Sequence, residues 1–202
     1  MALQNRVTPD NCIVAEKWRG LFMGNKGGRI HDPKTQTLLK RKWASKRWII
    51  CVTQFKQRQR KVMGDGYTEL FFLDEVSALA SGHRPCFECR RRDASNFAHH
   101  WQAAFGKISG SIADNIDIVL HAERTSKKPE LSGAAIVNLP NGAMIKSGDQ
   151  CFAKHDGHFF TWTGLGYEPV RSAPKRSVLL TPPSILPVLS SGYTPIWHPS
   201  VK

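Results

Sequence analysis

Apolar residues recur along this chain with two different periods, and the change of period marks its elements. The β-branched and aromatic run Trp48-Ile49-Ile50-Cys51-Val52-Thr53-Gln54-Phe55 predicts a strand. The polar stretch Lys56 to Gln59 predicts a turn into a second strand ending near Met63, so a basic hairpin is expected over residues 48–63. Gly64-Asp65-Gly66 breaks the chain, and Glu69 to Leu73 predicts the next strand. Asp74 is then a good N-cap for a helix through Val76, Leu79 and Ala80, with Gly82 as its C′ residue. Further on, Asp93 or Ser95 caps a second helix, in which Phe97, His100, Trp101 and Phe105 fall three and four apart on one face until Gly106 closes it. Residues 107–113 read as a loop, Asn115 to Thr125 as a helix, and Thr125 to Glu130 as a polar linker.

Beyond the linker the period becomes two. Ala135 to Leu139 and Ala143 to Lys146 flank Pro140-Asn141-Gly142, while Gln150 to Lys154 and His158 to Thr163 flank Asp156-Gly157; both predict antiparallel hairpins. One internal repeat emerges. Residues 179–195 align without gaps on residues 69–85, placing Gly192-Tyr193-Thr194-Pro195 on Gly82-His83-Arg84-Pro85 and Leu189 on Leu79. After the shared proline the copies part, with Cys86 opposite Ile196.

At 202 residues and 41 % hydrophobic, the chain can bury a sizeable core in one large domain or two small ones. No run approaches the roughly 18–20 apolar residues of a membrane span, and the first residues carry no signal-peptide core, so no membrane partner and a cytoplasmic location are expected. Against 16 acidic residues stand 29 basic ones, a net charge of +13 that suits a polyanion, nucleic acid first. Between Pro33 and Gly64 the basic residues Lys40, Arg41, Lys42, Lys46, Arg47, Arg58, Arg60 and Lys61 occur with no acidic residue, interleaved with Trp43, Trp48 and Phe55. Here Lys and Arg would neutralise phosphates, and Trp43 or Trp48 would stack on exposed bases. Gly24-Asn25-Lys26-Gly27-Gly28 reads as a turn; it lacks the Gly-Lys-Ser/Thr of a phosphate-cradling loop.

Candidate chemistry is concentrated at Cys86-Phe87-Glu88-Cys89, which Arg90, Arg91 and Arg92 follow. An odd set of five cysteines argues against a disulfide framework. The pair reads as half a tetrahedral zinc site, as a redox couple, or as two reduced thiols. Further ligands must come from Cys51, Cys12, His31, His83, His99 or His100, with Cys51 first because its strand can pack beside the knuckle. Cys151, His155 and His158 also have metal-like spacing, and His121 with Glu123 could supply a general base and a charge partner.

Phe71-Phe72-Leu73-Asp74, followed by Ser77-Ala78-Leu79-Ala80-Ser81-Gly82-His83-Arg84-Pro85-Cys86-Phe87-Glu88-Cys89-Arg90, resembles the second half of the zinc-binding domain of the Ada family, the bacterial DNA methylphosphotriester repair proteins. The resemblance covers about 25 residues. That family holds zinc with four cysteines, the first two on an upstream Cys-x-x-x-Cys segment. Here Cys51 is followed by Phe55 where the second of these would stand, so the resemblance carries Cys86 and Cys89 over as zinc ligands and leaves alkyl transfer behind.

The expected architecture is α+β, with small antiparallel sheets and three or four short helices. It divides into an extended segment (1–16), an Ada-like zinc-knuckle half (17–106), a helix and linker (107–130), and a β-rich half (131–202) ending in the metal-free repeat. The expected function is that of a nucleic-acid-binding protein, DNA ahead of RNA, with Zn2+ on Cys51, Cys86 and Cys89. Lys40, Arg41, Lys42, Trp43, Lys46, Arg47, Arg58, Arg60, Lys61, Arg90 and Arg91 form its expected nucleic-acid surface. A DNA- or RNA-processing enzyme and a metal-free basic interaction protein are the alternatives.

Overall fold

The computed structural model describes residues 2–59 and 61–201. Twelve strands and five helices are seen among the described residues, and the strands form two six-stranded sheets, an α+β architecture. The N-terminal sheet contains β1 (Arg6–Val7), β2 (Ile13–Val14), β3 (Phe22–Lys26), β4 (Trp48–Val52), β5 (Leu70–Phe72) and β6 (Arg84–Pro85), in the order β2-β1-β5-β3-β4-β6. Between β5 and β6 lies α1 (Glu75–Ala80); after β6 come α2 (Arg91–Phe105) and α3 (Ile112–Thr125). The C-terminal sheet is built from β7 (Glu130–Ser132), β8 (Met144–Ser147), β9 (Gln150–His155), β10 (His158–Trp162), β11 (Tyr167–Pro169) and β12 (Arg176–Leu179), ordered β11-β10-β9-β8-β12-β7. Two short helices, α4 (Ala134–Val137) and α5 (Ile185–Ser190), complete it.

Several expectations are corrected. The strand at Trp48 pairs with β3 and not with a strand near Met63: Met23 faces Cys51 and Lys26 faces Trp48. The glycine-rich segment expected as a turn therefore begins inside a strand. Gly24 sits there because a Cβ would lie 2.1 Å from the Ile49 carbonyl oxygen and 2.8 Å from the Phe72 ring. The stretch from Ala135 to Leu139, expected as a strand, instead begins within the helix α4 (Ala134–Val137). The Asp156-Gly157 hairpin forms as expected, with His158 opposite His155. The first sheet is mixed, since β1 runs parallel to β5 and β6 parallel to β4, whereas the pairings of the second are antiparallel. Within the lead-in segment expected to be extended, β1 and β2 form a hairpin on the edge of the first sheet.

The repeat is visible in backbone geometry. Ser81 caps the C-terminus of α1 and Ser191 that of α5; Gly82 and Gly192 follow with φ of +86° and +108°. The amides of Gly82 and Gly192 donate to Leu79 and Leu189 at 2.9 and 3.1 Å, and those of His83 and Tyr193 to Ala78 and Val188 at 3.0 and 3.3 Å. The hydroxyls add to these bonds: Ser81 Oγ donates to the Ala78 carbonyl at 2.8 Å and Ser191 Oγ to the Val188 carbonyl at 2.9 Å. Position for position these are the bonds of one helix-ending motif. Upstream, β5 flanks the β3-β4 hairpin as β12 flanks the β8-β9 hairpin. The copies diverge on the far side: β6 lies beside β4, but β10 lies beside β9.

One hydrophobic core crosses both halves, from Phe72, Leu79 and Trp101 to Ile145, Val188 and Leu189. Buried polar bonds reinforce the junction. Asp74 caps α1 by accepting from the Ser77 amide at 2.8 Å, and also receives Tyr167 Oη at 3.1 Å and the His198 amide at 3.1 Å.

Candidate metal centre

Cys51, Cys86 and Cys89 converge, their Sγ atoms all within 4.8 Å of one another. Two thiolates about 2.3 Å from one zinc ion at tetrahedral angles stand about 3.8 Å apart, so only a small contraction separates this arrangement from coordination. Three elements create it. Cys51 sits near the end of β4, held between β3 and the parallel β6. The Cys86 amide donates to the Ile50 carbonyl at 2.9 Å, which extends the β4-β6 pairing by one bond and swings the knuckle against Cys51. The Arg90 amide then donates to the Cys86 carbonyl at 3.0 Å, closing the turn into α2. Three close cysteines of this kind can hold a metal ion.

The metal-free electrostatics already favour one thiolate. Hydrogen bonds from Cys51 and Cys89 lower Cys86 to about 2, and the Glu88 amide approaches its sulfur at 3.4 Å. Cys51 is pushed far up by its hydrogen bonds to Cys86 and Cys89 and by burial. Cys89 is lowered by its hydrogen bond with Cys51 but raised on balance by Cys86 and by burial. The negative charge thus collects on Cys86, beside the N-terminus of α2, whose dipole favours an anion.

No fourth His, Cys, Asp or Glu joins the cluster among the described residues. The remaining histidine candidates are occupied elsewhere. His31 bonds Thr68 Oγ1 at 2.6 Å through Nδ1 and the Gly64 carbonyl at 2.8 Å through Nε2. His83 is fully buried against Phe72 and Trp48, with Nδ1 on Ser81 Oγ at 2.9 Å; burial holds its pKa well below the usual value, so it is neutral. His99 is exposed on α2, and His100 bonds Ser191 Oγ at 3.0 Å. Cys12 is exposed, outside the cluster. Cys151, His155 and His158 form no such cluster among the described residues; His155 packs on Trp197, ring centroids 4.7 Å apart. Nor do His121 and Glu123 work together. Glu123 accepts from the amide and hydroxyl of Ser184 at 2.9 and 2.7 Å, ahead of α5, while His121 packs edge-on against Trp43 at 5.3 Å.

Much of the positive charge near the knuckle is structural. Arg90, expected on the nucleic-acid surface, is 4 % exposed, reaches Glu75 at 2.9 Å and Asp93 at 2.8 Å, and lies over the Phe22 ring at 4.4 Å. This corrects the expectation: a guanidinium with two carboxylate partners inside the core is not offered to phosphate. Arg84 is buried as well, forked onto Asp117 at 3.0 and 2.6 Å. Trp48 is likewise corrected as a stacking platform, being 2 % exposed beneath Lys26 and Arg124 at 4.6 and 4.4 Å. Lys40, Arg41, Lys42, Lys46 and Arg47 are exposed on the β3-β4 connection with Trp43, and Arg91 is exposed at the start of α2. Arg58 and Lys61 are exposed on the loop after β4; Arg60 lies outside the described residues.

Beside the cysteines lies a cavity of about 210 Å³. Its floor comes from alternate residues on three adjacent strands: Ile49 and Cys51 of β4, Met23 and Asn25 of β3, and Phe71 of β5 with Glu69 just before it. Phe55, Val62 and Tyr67 close one side, and Arg58 and Glu88, paired at 2.7 Å, border it. Glu69, Asn25 and Met23 were not expected as site residues. The signal was the period-two alternation, which puts Glu69 on the face of Phe71 and Ile49 on that of Cys51.

No family model matches this chain, and neither a curated protein nor a solved structure matches it. No helix among the described residues is long and apolar enough to cross a membrane.

Proposed function

We propose that this chain is a zinc protein that binds nucleic acid, DNA ahead of RNA, on an Ada-like scaffold. The convergence of Cys51, Cys86 and Cys89 is the observation that carries this reading. Thiolates select soft or borderline ions, and three sulfurs, one on a central strand and two on the turn before α2, suit zinc. The order β5, α1, β6, Cys-x-x-Cys supports the Ada-like part of the reading. Phe55 stands in the position of a fourth cysteine and borders the cavity, so zinc here organises a fold and offers no four-cysteine centre for alkyl transfer.

The exposed basic residues Lys40, Arg41, Lys42, Lys46 and Arg47, with Trp43 38 % exposed among them, support the phosphate-binding part. Zinc would steady β4 and the knuckle, which lie at the base of that connection. The test combines two measurements. Elemental analysis of purified protein is expected to show one zinc per chain, lost in Cys86→Ser; binding to single- and double-stranded DNA and RNA is expected to weaken steeply as salt rises. A protein without metal, or with salt-insensitive binding, overturns the corresponding half of the proposal.

A further inference from the structure

The geometry points to a ligand site: the cavity beside the three cysteines takes a planar heterocycle bearing an exocyclic amine, with the metal's fourth position at one end and Glu69 at the other. This rests on the metal reading above. Zinc sites closed by four protein ligands are structural, whereas three protein ligands leave a position for water or a bound molecule. Here the cluster has three ligands among the described residues, and all three line the cavity. Three thiolates and one divalent ion carry a net charge of about −1, which favours a neutral fourth ligand such as water or a ring nitrogen.

Glu69 specifies the far end. It is 6 % exposed, and its one hydrogen bond among the described residues is from the Met63 amide to Oε2 at 2.8 Å. It has no ion pair among the described residues, an uncommon state for a buried carboxylate, so an N–H donor entering the cavity would complete its bonding. Asn25, which lines the cavity, accepts from the Gly27 amide through Oδ1 at 2.9 Å, so its NH2 remains the group to offer an acceptor there. Phe55, Tyr67 and Phe71 supply flat apolar walls. At about 210 Å³ the space lies below the ~300–1,000 Å³ of sites for drug-sized ligands and suits a single ring system. An alkylammonium would satisfy Glu69 but neither Asn25 nor the metal. An aminated heterocycle supplies an N–H for Glu69, an acceptor for Asn25, a π-face for the aromatic walls and a ring nitrogen for the ion. Such a ring could be a free nucleobase or one unstacked from a bound strand.

The test uses full-length protein loaded with cobalt(II), whose visible spectrum reports a change of fourth ligand. Cytosine, adenine and uracil are titrated as free bases, and oligo-dC and oligo-dT as single strands. Cytosine or adenine is expected to shift the spectrum where uracil does not, and Glu69→Gln to weaken binding by about tenfold or more with metal content unchanged. Response to the free bases assigns the ligand to the free pool; response to oligo-dC alone assigns it to an unstacked base. A loaded protein whose spectrum none of these moves, or one in which Glu69→Gln and uracil make no difference, overturns the site. Failure to take up metal is read separately by elemental analysis, and overturns the metal reading instead.

Discussion

Tyr193 Oη donates to Glu75 Oε1 across 2.6 Å, so a residue that ends the C-terminal repeat is bonded to the first turn of the helix in the N-terminal one. The same carboxylate receives Arg90 at 2.9 Å and the Ile196 amide at 3.0 Å through Oε2. Glu75 is thereby the meeting point of the knuckle, through Arg90, and of the second sheet's tail, through Tyr193 and Ile196. Tyr193→Phe removes one bond to a buried charge and is expected to cost on the order of 1–3 kcal/mol in urea unfolding. Removing the charge is expected to be worse: Glu75→Gln takes from the Arg90 guanidinium its buried carboxylate partner and leaves only Asp93, which is 37 % exposed.

Arg84 and Asp117 offer a second test of the same logic. Both side chains are at most 5 % exposed, so breaking the pair strands a charge inside the protein. Arg84→Ala is expected to destabilise by roughly 3–5 kcal/mol, and an apolar double replacement by much less. A double-mutant cycle measured by thermal unfolding checks it.

Lys26 makes stability depend on pH in the alkaline range. It is 3 % exposed over Trp48, and burial, followed by repulsion from Arg124, brings its pKa down to about 7 from its ordinary 10.5. Between these values the unfolded chain holds a proton that the folded chain does not, so unfolding takes up protons and this residue's contribution to stability rises with pH. Below pH 7 both states are charged and the full cost of burying the ammonium is present. Lys26→Met is therefore expected to raise the melting temperature at about pH 6 and to change it little at about pH 10.

Surface and buried arginines are expected to respond in opposite ways. Replacing Lys40, Arg41 and Lys42 together by Gln should leave melting unchanged while reducing the slope of log K against log salt by about 3 in size, if each neutralises one phosphate. Arg90→Gln should lower the melting temperature and leave the salt slope of the folded protein alone.

Local signals along the chain predicted the capped helix after Asp74, the Gly82 ending, its echo at Gly192 and the Asp156-Gly157 hairpin, because each is set by residues within a few positions. The approach of Cys51 to the Cys86–Cys89 knuckle was legible for a related reason: an apolar strand with one cysteine needs only a neighbouring strand to bring it there. What could not be read was pairing at a distance. Phe22–Lys26 contains Gly24 and Asn25 and has weak strand propensity, yet it lies centrally in the first sheet because the Gly24 site admits no side chain between Ile49 and Phe72. Arg90 was misplaced for the same reason. Its carboxylate partner on α1, Glu75, is fifteen positions away, and only the fold shows that the charge is spent internally.

The two copies of the strand-helix-turn motif sit in one chain under different constraints, the first ending at the three-cysteine cluster and the second at no such cluster among the described residues. Because they share a core, the copy without the three-cysteine cluster is a built-in control. If the proposed zinc is bound, chelation should disturb the Gly82 turn while the Gly192 turn, made of the same hydrogen bonds, stays protected, so hydrogen exchange at these two glycine amides compares them under one set of conditions.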